Sequence, residues 1–173
     1  MAVEKSVLLR LKPIVICASL AFALQSHAEP LPAQLKGTWR ITKLLPTTNI
    51  GCWTADQAAS LVGSSLVYGP RSMTWKGGTV PLLGVSTRLV DTDDVKSESG
   101  GGAKAADFTQ LKIGKDNVLE VNLQHDDADI TGASTEVPGD SVLLAAPNRI
   151  VASACGVYFE ATRVVTPKPK AKH

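Results

Sequence analysis

The residues on which most enzymes depend are scarce in this sequence. Its 173 residues include three histidines and three cysteines, and it has no G-x-S-x-G nucleophile motif. His27 lies near the N-terminus and His173 is the C-terminal residue, so the best candidate for a general base is His125, which is followed by Asp126, Asp127 and Asp129. An enzyme that uses His125 with these aspartates is therefore one hypothesis. A solvated strand end explains the same residues without any partner, so no catalytic residue is assigned.

Few residues in the sequence suggest a metal site either. Asp91, Asp93 and Asp94 form one acidic cluster, and Asp126, Asp127 and Asp129 form a second. Calcium takes six to eight oxygen ligands, often from such loops. The segment D-T-D-D-V-K-S-E lacks the glycine and the distal glutamate of an EF-hand loop. Solvated acidic loops are the simpler interpretation, and we predict no metal and no cofactor.

Long apolar runs are missing too. The apolar stretch Pro13–Leu24 is about 12 residues, whereas a membrane-spanning helix needs about 20. It follows Lys5, Arg10 and Lys12 and precedes Ser26-His27-Ala28, which has small residues at its first and third positions. This pattern predicts a signal peptide over residues 1–28, cleaved after Ala28, and a periplasmic or secreted protein. The same apolar stretch fits a membrane anchor less well because it is short. It also fits a lipoprotein modified at Cys17 less well than it fits a cleaved signal peptide.

Excess charge of one sign disappears when the leader is removed. The chain has 18 basic and 16 acidic residues, of which the leader takes three basic and one acidic, leaving 15 of each. Nucleic-acid binding needs a clustered basic face, so it is not expected. Three of the remaining lysines lie in residues 167–173, which we predict to be a disordered basic tail. After cleavage no transmembrane segment is expected.

Two cysteines remain after cleavage, Cys52 and Cys155. An even pair in an oxidising compartment favours a disulfide bond. The alternatives are two reduced thiols or part of a metal site, but zinc needs four ligands and the mature chain adds only two histidines.

Residues 29–166 alternate as short strands do. In Gly37–Leu44, Trp39 and Ile41 point to one face and Arg40 and Thr42 to the other. Thr54 and Gln57 form a capping box that predicts one short helix after the first strand. The polar segment Thr92–Ala103 is expected to be a mobile loop. The pattern predicts a mainly β domain, a single antiparallel barrel or strongly bent sheet of seven to eight short strands.

Gly37-Thr38-Trp39 resembles the Gly-x-Trp motif that opens the first strand of lipocalins. The helix T-A-D-Q-A-A-S-L-V-G and the closing G-V-Y-F-E-A-T-R-V are similar to small lipocalin-like proteins of the bacterial periplasm, of unassigned function. The resemblance implies a barrel in which Trp39 packs against an arginine of the last strand. Arg163 is at the position in the sequence where that arginine would lie. The helix departs from the lipocalin pattern, because lipocalins carry theirs after the last strand.

The aromatic residues are few but suggest a ligand site. They make up 5% of the chain, and in a barrel they would line a cavity. The candidate ligand-binding residues are Trp39, Trp53, Tyr68, Trp75 and Tyr158. Core packing is the alternative for Trp39, packing on the disulfide for Trp53, and partner contact for Trp75. We therefore expect a non-enzymatic binding protein for a small apolar or amphipathic ligand. A periplasmic protein-interaction module, such as a hydrolase inhibitor or immunity-type protein, is the second hypothesis, and an enzyme the third.

Overall fold

The computed structural model describes residues 29–46, 54–100, 105–125, 137–154 and 156–165. The predicted leader, the cysteines, Trp53, the second acidic cluster and the basic tail lie outside these ranges. Nine strands and two helices occur within the described residues. In chain order they are β1 (Gly37–Leu44), α1 (Ala55–Ala59), β2 (Ser65–Tyr68), β3 (Ser72–Trp75), β4 (Gly78–Pro81), β5 (Gly84–Val90), α2 (Thr92–Glu98), β6 (Val118–Gln124), β7 (Ser141–Ala146), β8 (Arg149–Ala154) and β9 (Val157–Arg163).

All nine strands form one antiparallel sheet that curls into a half-barrel, in the order β4-β3-β2-β1-β9-β8-β7-β6-β5. The two terminal strands of this order, β4 and β5, are consecutive in sequence. Between them the Leu82 amide bonds to the Arg71 carbonyl at 3.0 Å, and the Leu83 amide bonds to the Gln124 carbonyl at 2.7 Å. The mainly β, antiparallel and barrel-like architecture is confirmed, with more strands than expected.

Alternation along β1 explains how this strand divides the two faces. Trp39 and Ile41 are fully buried in the concave core, and Arg40 is exposed. Against β9 the register shifts between Ile41 and Lys43, which makes a bulge. A bulge adds one residue to the strand, so the residues after it lie on the opposite face from the one that simple alternation predicts. Leu44 therefore packs against the concave core, and Leu45 is buried in the outer core.

The concave face of the half-barrel is filled with apolar side chains. Their burial removes about 25 cal/mol of unfavourable apolar hydration for every Å² taken from water, which is the main force holding the sheet curled. The largest of those that are fully buried are Trp39, Tyr68, Phe159, Leu35, Ile41, Leu66, Met73 and Ile150.

A second apolar layer covers part of the convex face. Helix α2 and the segment 105–113 pack there on strands β5 to β8. The buried residues include Val90, Val95, Phe108, Leu111, Ile113, Leu143 and Val151. The sheet is therefore packed on both faces at this side.

One local expectation was wrong. The segment beginning at Thr92 is not a loop throughout, because Thr92–Glu98 is helical. The nine described strands also exceed the seven to eight expected, and among them β4 ends at Pro81. Proline is tolerated there because β4 is a terminal strand of the sheet order, where an N–H is not needed for pairing.

Candidate functional site

The predicted ligand-binding residues do not come together in one place. Trp39, Tyr68 and Trp75 lie in the concave core, with exposed fractions of 0%, 1% and 3%. Tyr158 lies on the convex face and packs against the outer core. Trp53 is outside the described residues. The concave aromatics are thus close-packed with aliphatic neighbours.

Trp39 is held at the rim where the chain enters the sheet. Its indole N–H donates to the Leu35 carbonyl at 2.7 Å, and the Arg163 guanidinium lies 4.2 Å from its ring centroid. Arg163 also donates to the carbonyl of Lys36 at 2.7 Å and to that of Gln34. This cation–π contact joins the first and last strands and stabilises the entering turn.

Tyr68 closes the concave core below the turn 137–140. Its hydroxyl donates to the Gly139 carbonyl at 3.0 Å. Burial raises the pKa of Tyr68 well above its ordinary value, and the negative charge of Asp140 raises it further. The hydroxyl therefore stays protonated and acts as a hydrogen-bond donor.

His125 is not a solvated strand end, as we expected from the sequence. Its side chain is 1% exposed, and its Nε2 lies 2.6 Å from Asp140 Oδ1. The other carboxylate oxygen of Asp140 accepts from the Val137 amide at 3.1 Å. The pair ties the end of β6 to the turn 137–140. No partner could be named from the sequence, because Asp140 lies 15 residues away, beyond the aspartates that directly follow His125.

A polar cavity lies on the convex face, between the end of α2 and strands β6 to β9. Its volume is about 230 Å³. Its polar lining consists of Glu98, Ser99, Glu120, Ser141, Ser153 and Tyr158, and its apolar lining includes Val95, Leu143 and Ala154. Ser141 pairs with Ser153 across β7 and β8, and Ser153 pairs with Tyr158 across β8 and β9. Strand register therefore places three hydroxyl-bearing side chains in one row.

Glu120 is the buried charged group in the wall of this cavity. Among the described residues it is the one charged residue that is buried, with an exposed fraction of 5%. Its Oε2 accepts from Arg88 Nε at 2.5 Å, and its Oε1 accepts from Ser141 Oγ at 3.0 Å. Arg88 also pairs with Glu98. A buried carboxylate is stable only with such partners.

Tyr158 lines the cavity from β9, and its hydroxyl reaches Ser99 at the end of α2. Burial raises the pKa of its hydroxyl, the charge of Glu120 raises it further, and a hydrogen bond with Ser99 lowers it. The net direction is upward, so the hydroxyl is neutral near pH 7. The cavity thus offers both hydroxyl donors and a carboxylate acceptor.

Helix α2 positions Glu98 and Ser99, and the acidic group at its start is a cap. Asp91 Oδ1 accepts from the amides of Asp93 and Asp94 at 2.9 and 3.0 Å, and the Asp94 carboxylate accepts from the Asp91 amide. This is a capping box. Aspartates at a helix N-terminus also complement its dipole. The D-x-x-D spacing was the signal for this cap, but from the sequence we favoured a solvated acidic loop over a calcium site and did not expect a helix here.

Sequence reasoning missed most of this cavity. Alternation along β6 places Glu120 on the face opposite Val121 and Leu123, where an acidic residue is ordinary, but α2 covers that face. Arg88 and Glu120 are directly opposite across β5 and β6, so a known register would have paired them. In the described part of the chain, no three His, Cys, Asp or Glu side chains are grouped to hold a metal ion.

Comparison with protein-family models, with curated proteins and with solved structures finds no match to this chain. Among the described helices, neither is long and apolar enough to cross a membrane.

Proposed function

We propose that the protein is an exported, non-enzymatic binding protein whose small ligand occupies the convex-face cavity. The observation that carries this proposal is a cavity of about 230 Å³ with the buried carboxylate of Glu120 in its wall. Binding sites typically combine apolar walls with a few placed polar groups. The cavity has both, since Val95 and Leu143 face the same space as Glu120 and Tyr158.

The concave face is the less suitable place for a ligand. Trp39, Tyr68 and Trp75 pack there in the inner core, and Tyr68 spends its hydroxyl on the Gly139 carbonyl. A ligand would have to displace these side chains from close packing. The Arg163 guanidinium lies over the Trp39 ring where the chain enters the sheet, so protein side chains already occupy that part of the concave face.

The size of the cavity limits the ligand. Pockets for drug-sized molecules measure about 300–1,000 Å³, and this one is smaller at about 230 Å³. We infer a compact metabolite-sized molecule that is amphipathic, with a short apolar part against Leu143 and a polar part against Glu120.

Export and the disulfide belong to the same proposal. Intact mass of the protein recovered from its own host, before and after reduction, tests both. We expect the mass of residues 29–173 less two hydrogens, gaining two hydrogens on reduction. A mass that includes residues 1–28 contradicts cleavage, and no change on reduction contradicts the Cys52–Cys155 bond.

Native mass spectrometry of the same preparation tests the ligand. We expect a retained small molecule that is lost from the variant Ser153→Leu, because the larger side chain would fill the space between Ser141 and Tyr158. Glu160→Gln is the matched control, since Glu160 pairs with Arg149 on the same face at 2.8 Å but does not line the cavity. Retention by Ser153→Leu, or loss from Glu160→Gln, would contradict the assignment of the site.

A further inference from the structure

We propose that the ligand of the convex-face cavity is a small organic cation with a primary ammonium group, bound by the Glu120 carboxylate. This inference rests on the proposed function, because it names the ligand class of the same cavity. It depends on three features of the wall: its charge, its unused acceptor positions and its mixture of hydroxyl and apolar groups.

Among the described residues, the charges at the cavity do not cancel. Its lining carries two carboxylates, Glu98 and Glu120. One guanidinium, that of Arg88, pairs with both of them. These three described side chains together carry one net negative charge, and Glu120 is only 5% exposed. Because charge interactions weaken less away from bulk water, a monovalent cation in the cavity would be favoured and an anion opposed.

Glu120 has acceptor positions to spare. An ionised carboxylate offers about four lone-pair positions. Glu120 uses one on each oxygen, for Arg88 Nε at 2.5 Å and for Ser141 Oγ at 3.0 Å. An ammonium group carries three donors and no acceptor, so it can use the positions that remain. Hydrogen bonds between charged partners are about twice as strong as neutral ones.

The rest of the wall fits a short chain attached to that ammonium. Val95, Leu143 and Ala154 provide apolar contacts, and Ser153 adds a hydroxyl beside Tyr158. The volume of about 230 Å³ admits only a short chain. Burial and the charge of Glu120 raise the pKa of Tyr158, so its hydroxyl stays neutral. It therefore adds nothing to the net negative charge of the cavity, which matches a monovalent cation better than a divalent one.

The test uses three matched probes on the protein as its host processes it: n-propylammonium, n-propanol and propionate. Isothermal titration calorimetry should show that n-propylammonium binds at least tenfold more tightly than the other two. In Glu120→Gln this preference should be lost, while Glu160→Gln keeps it. Glu98→Gln, whose side chain is 45% exposed, should weaken ammonium binding several-fold. It provides the charge test if Glu120→Gln does not fold.

The outcomes separate the two proposals. If n-propanol or propionate binds better, and Ser153→Leu abolishes that binding, the cavity is a ligand site but the cation inference is wrong. The cation inference is also wrong if n-propylammonium binds equally to the wild type, Glu120→Gln and Glu98→Gln. If no probe binds and the host preparation retains no small molecule, both proposals are wrong.

Discussion

Replacing Gly139 with alanine tests the packing of the turn 137–140 against the concave core. Gly139 has a φ of 102°, and an added Cβ would lie 2.2 Å from Tyr68 Oη, 3.1 Å from Leu66 Cδ1 and 3.3 Å from Met73 Cε. A positive φ costs a residue with a Cβ about 1–2 kcal/mol. Overpacking a filled core adds about 1–3 kcal/mol. We expect Gly139→Ala to lower the free energy of unfolding by about 2–5 kcal/mol.

A control and a second background separate strain from contact. Gly63 has a φ of 95° and nothing within 4 Å of an added Cβ, so Gly63→Ala should cost only the backbone part, about 1–2 kcal/mol. Tyr68→Phe removes the hydroxyl that alanine would meet and also leaves the buried Gly139 carbonyl without its donor, which costs about 1–3 kcal/mol. In the Tyr68→Phe background, Gly139→Ala should cost about 1–2 kcal/mol less than in the wild type, a coupling that a double-mutant cycle measures.

Urea unfolding followed by far-ultraviolet circular dichroism, with the same slope required for all variants, gives these free energies. The reasoning would be refuted if Gly139→Ala costs no more than Gly63→Ala. It would also be refuted if the cost of Gly139→Ala is unchanged when the Tyr68 hydroxyl is absent.

Three further predictions concern other parts of the molecule. Because the native pKa values of Tyr68 and Tyr158 are raised, their stabilising effect is complete below about pH 10, where unfolded tyrosine ionises, and is lost as the pH rises through the native values. Tyrosinate absorbance in native and urea-unfolded protein checks this, and ordinary native titration would contradict it. Arg163→Lys cannot donate to two carbonyls in a fixed fork, so it should cost about 1–2 kcal/mol of unfolding free energy. An unchanged urea midpoint would show that the contacts at the Trp39 rim contribute nothing. Asp91→Ala should cost about 1 kcal/mol through loss of the α2 cap, and Asp91→Asn much less; equal urea midpoints for the two would argue against capping.

The sequence predicted the fold along those strands in which alternate side chains are buried. Trp39 and Ile41 marked the concave face of β1 because alternation is a property of the strand itself. The face of Leu44 was beyond such reasoning, because the bulge that turns it inward is a relation between β1 and β9. The helix at Thr92 was missed for a different reason: its aspartates were weighed only as calcium ligands or as a solvated loop, and not as a helix cap.

The candidate site was much less accessible to sequence reasoning. Tyr158 was a candidate because in a barrel it would line an interior cavity, whereas in the structure it lies on the convex face. Glu120 gives no local signal, since an acidic residue on the polar face of a strand is ordinary. Its burial follows from α2 lying over β6, and its partner Arg88 lies 32 residues earlier. Such sites depend on register and layering, which a single sequence constrains only weakly.

The position of β1 beside β9 has a consequence for how the chain is made. The first strand lies near the middle of the sheet order, and one of its two neighbours is the last strand to be synthesised. With only its first half available, the chain can form β1 to β4, but β1 keeps an unpaired edge and Trp39 lacks the guanidinium of Arg163. The pairing of β1 with β9 spans more than a hundred residues, which favours slow, late closure. A chain that passes through a membrane pore in an extended form, N-terminus first, would therefore complete its central pairing only after its last strand has emerged.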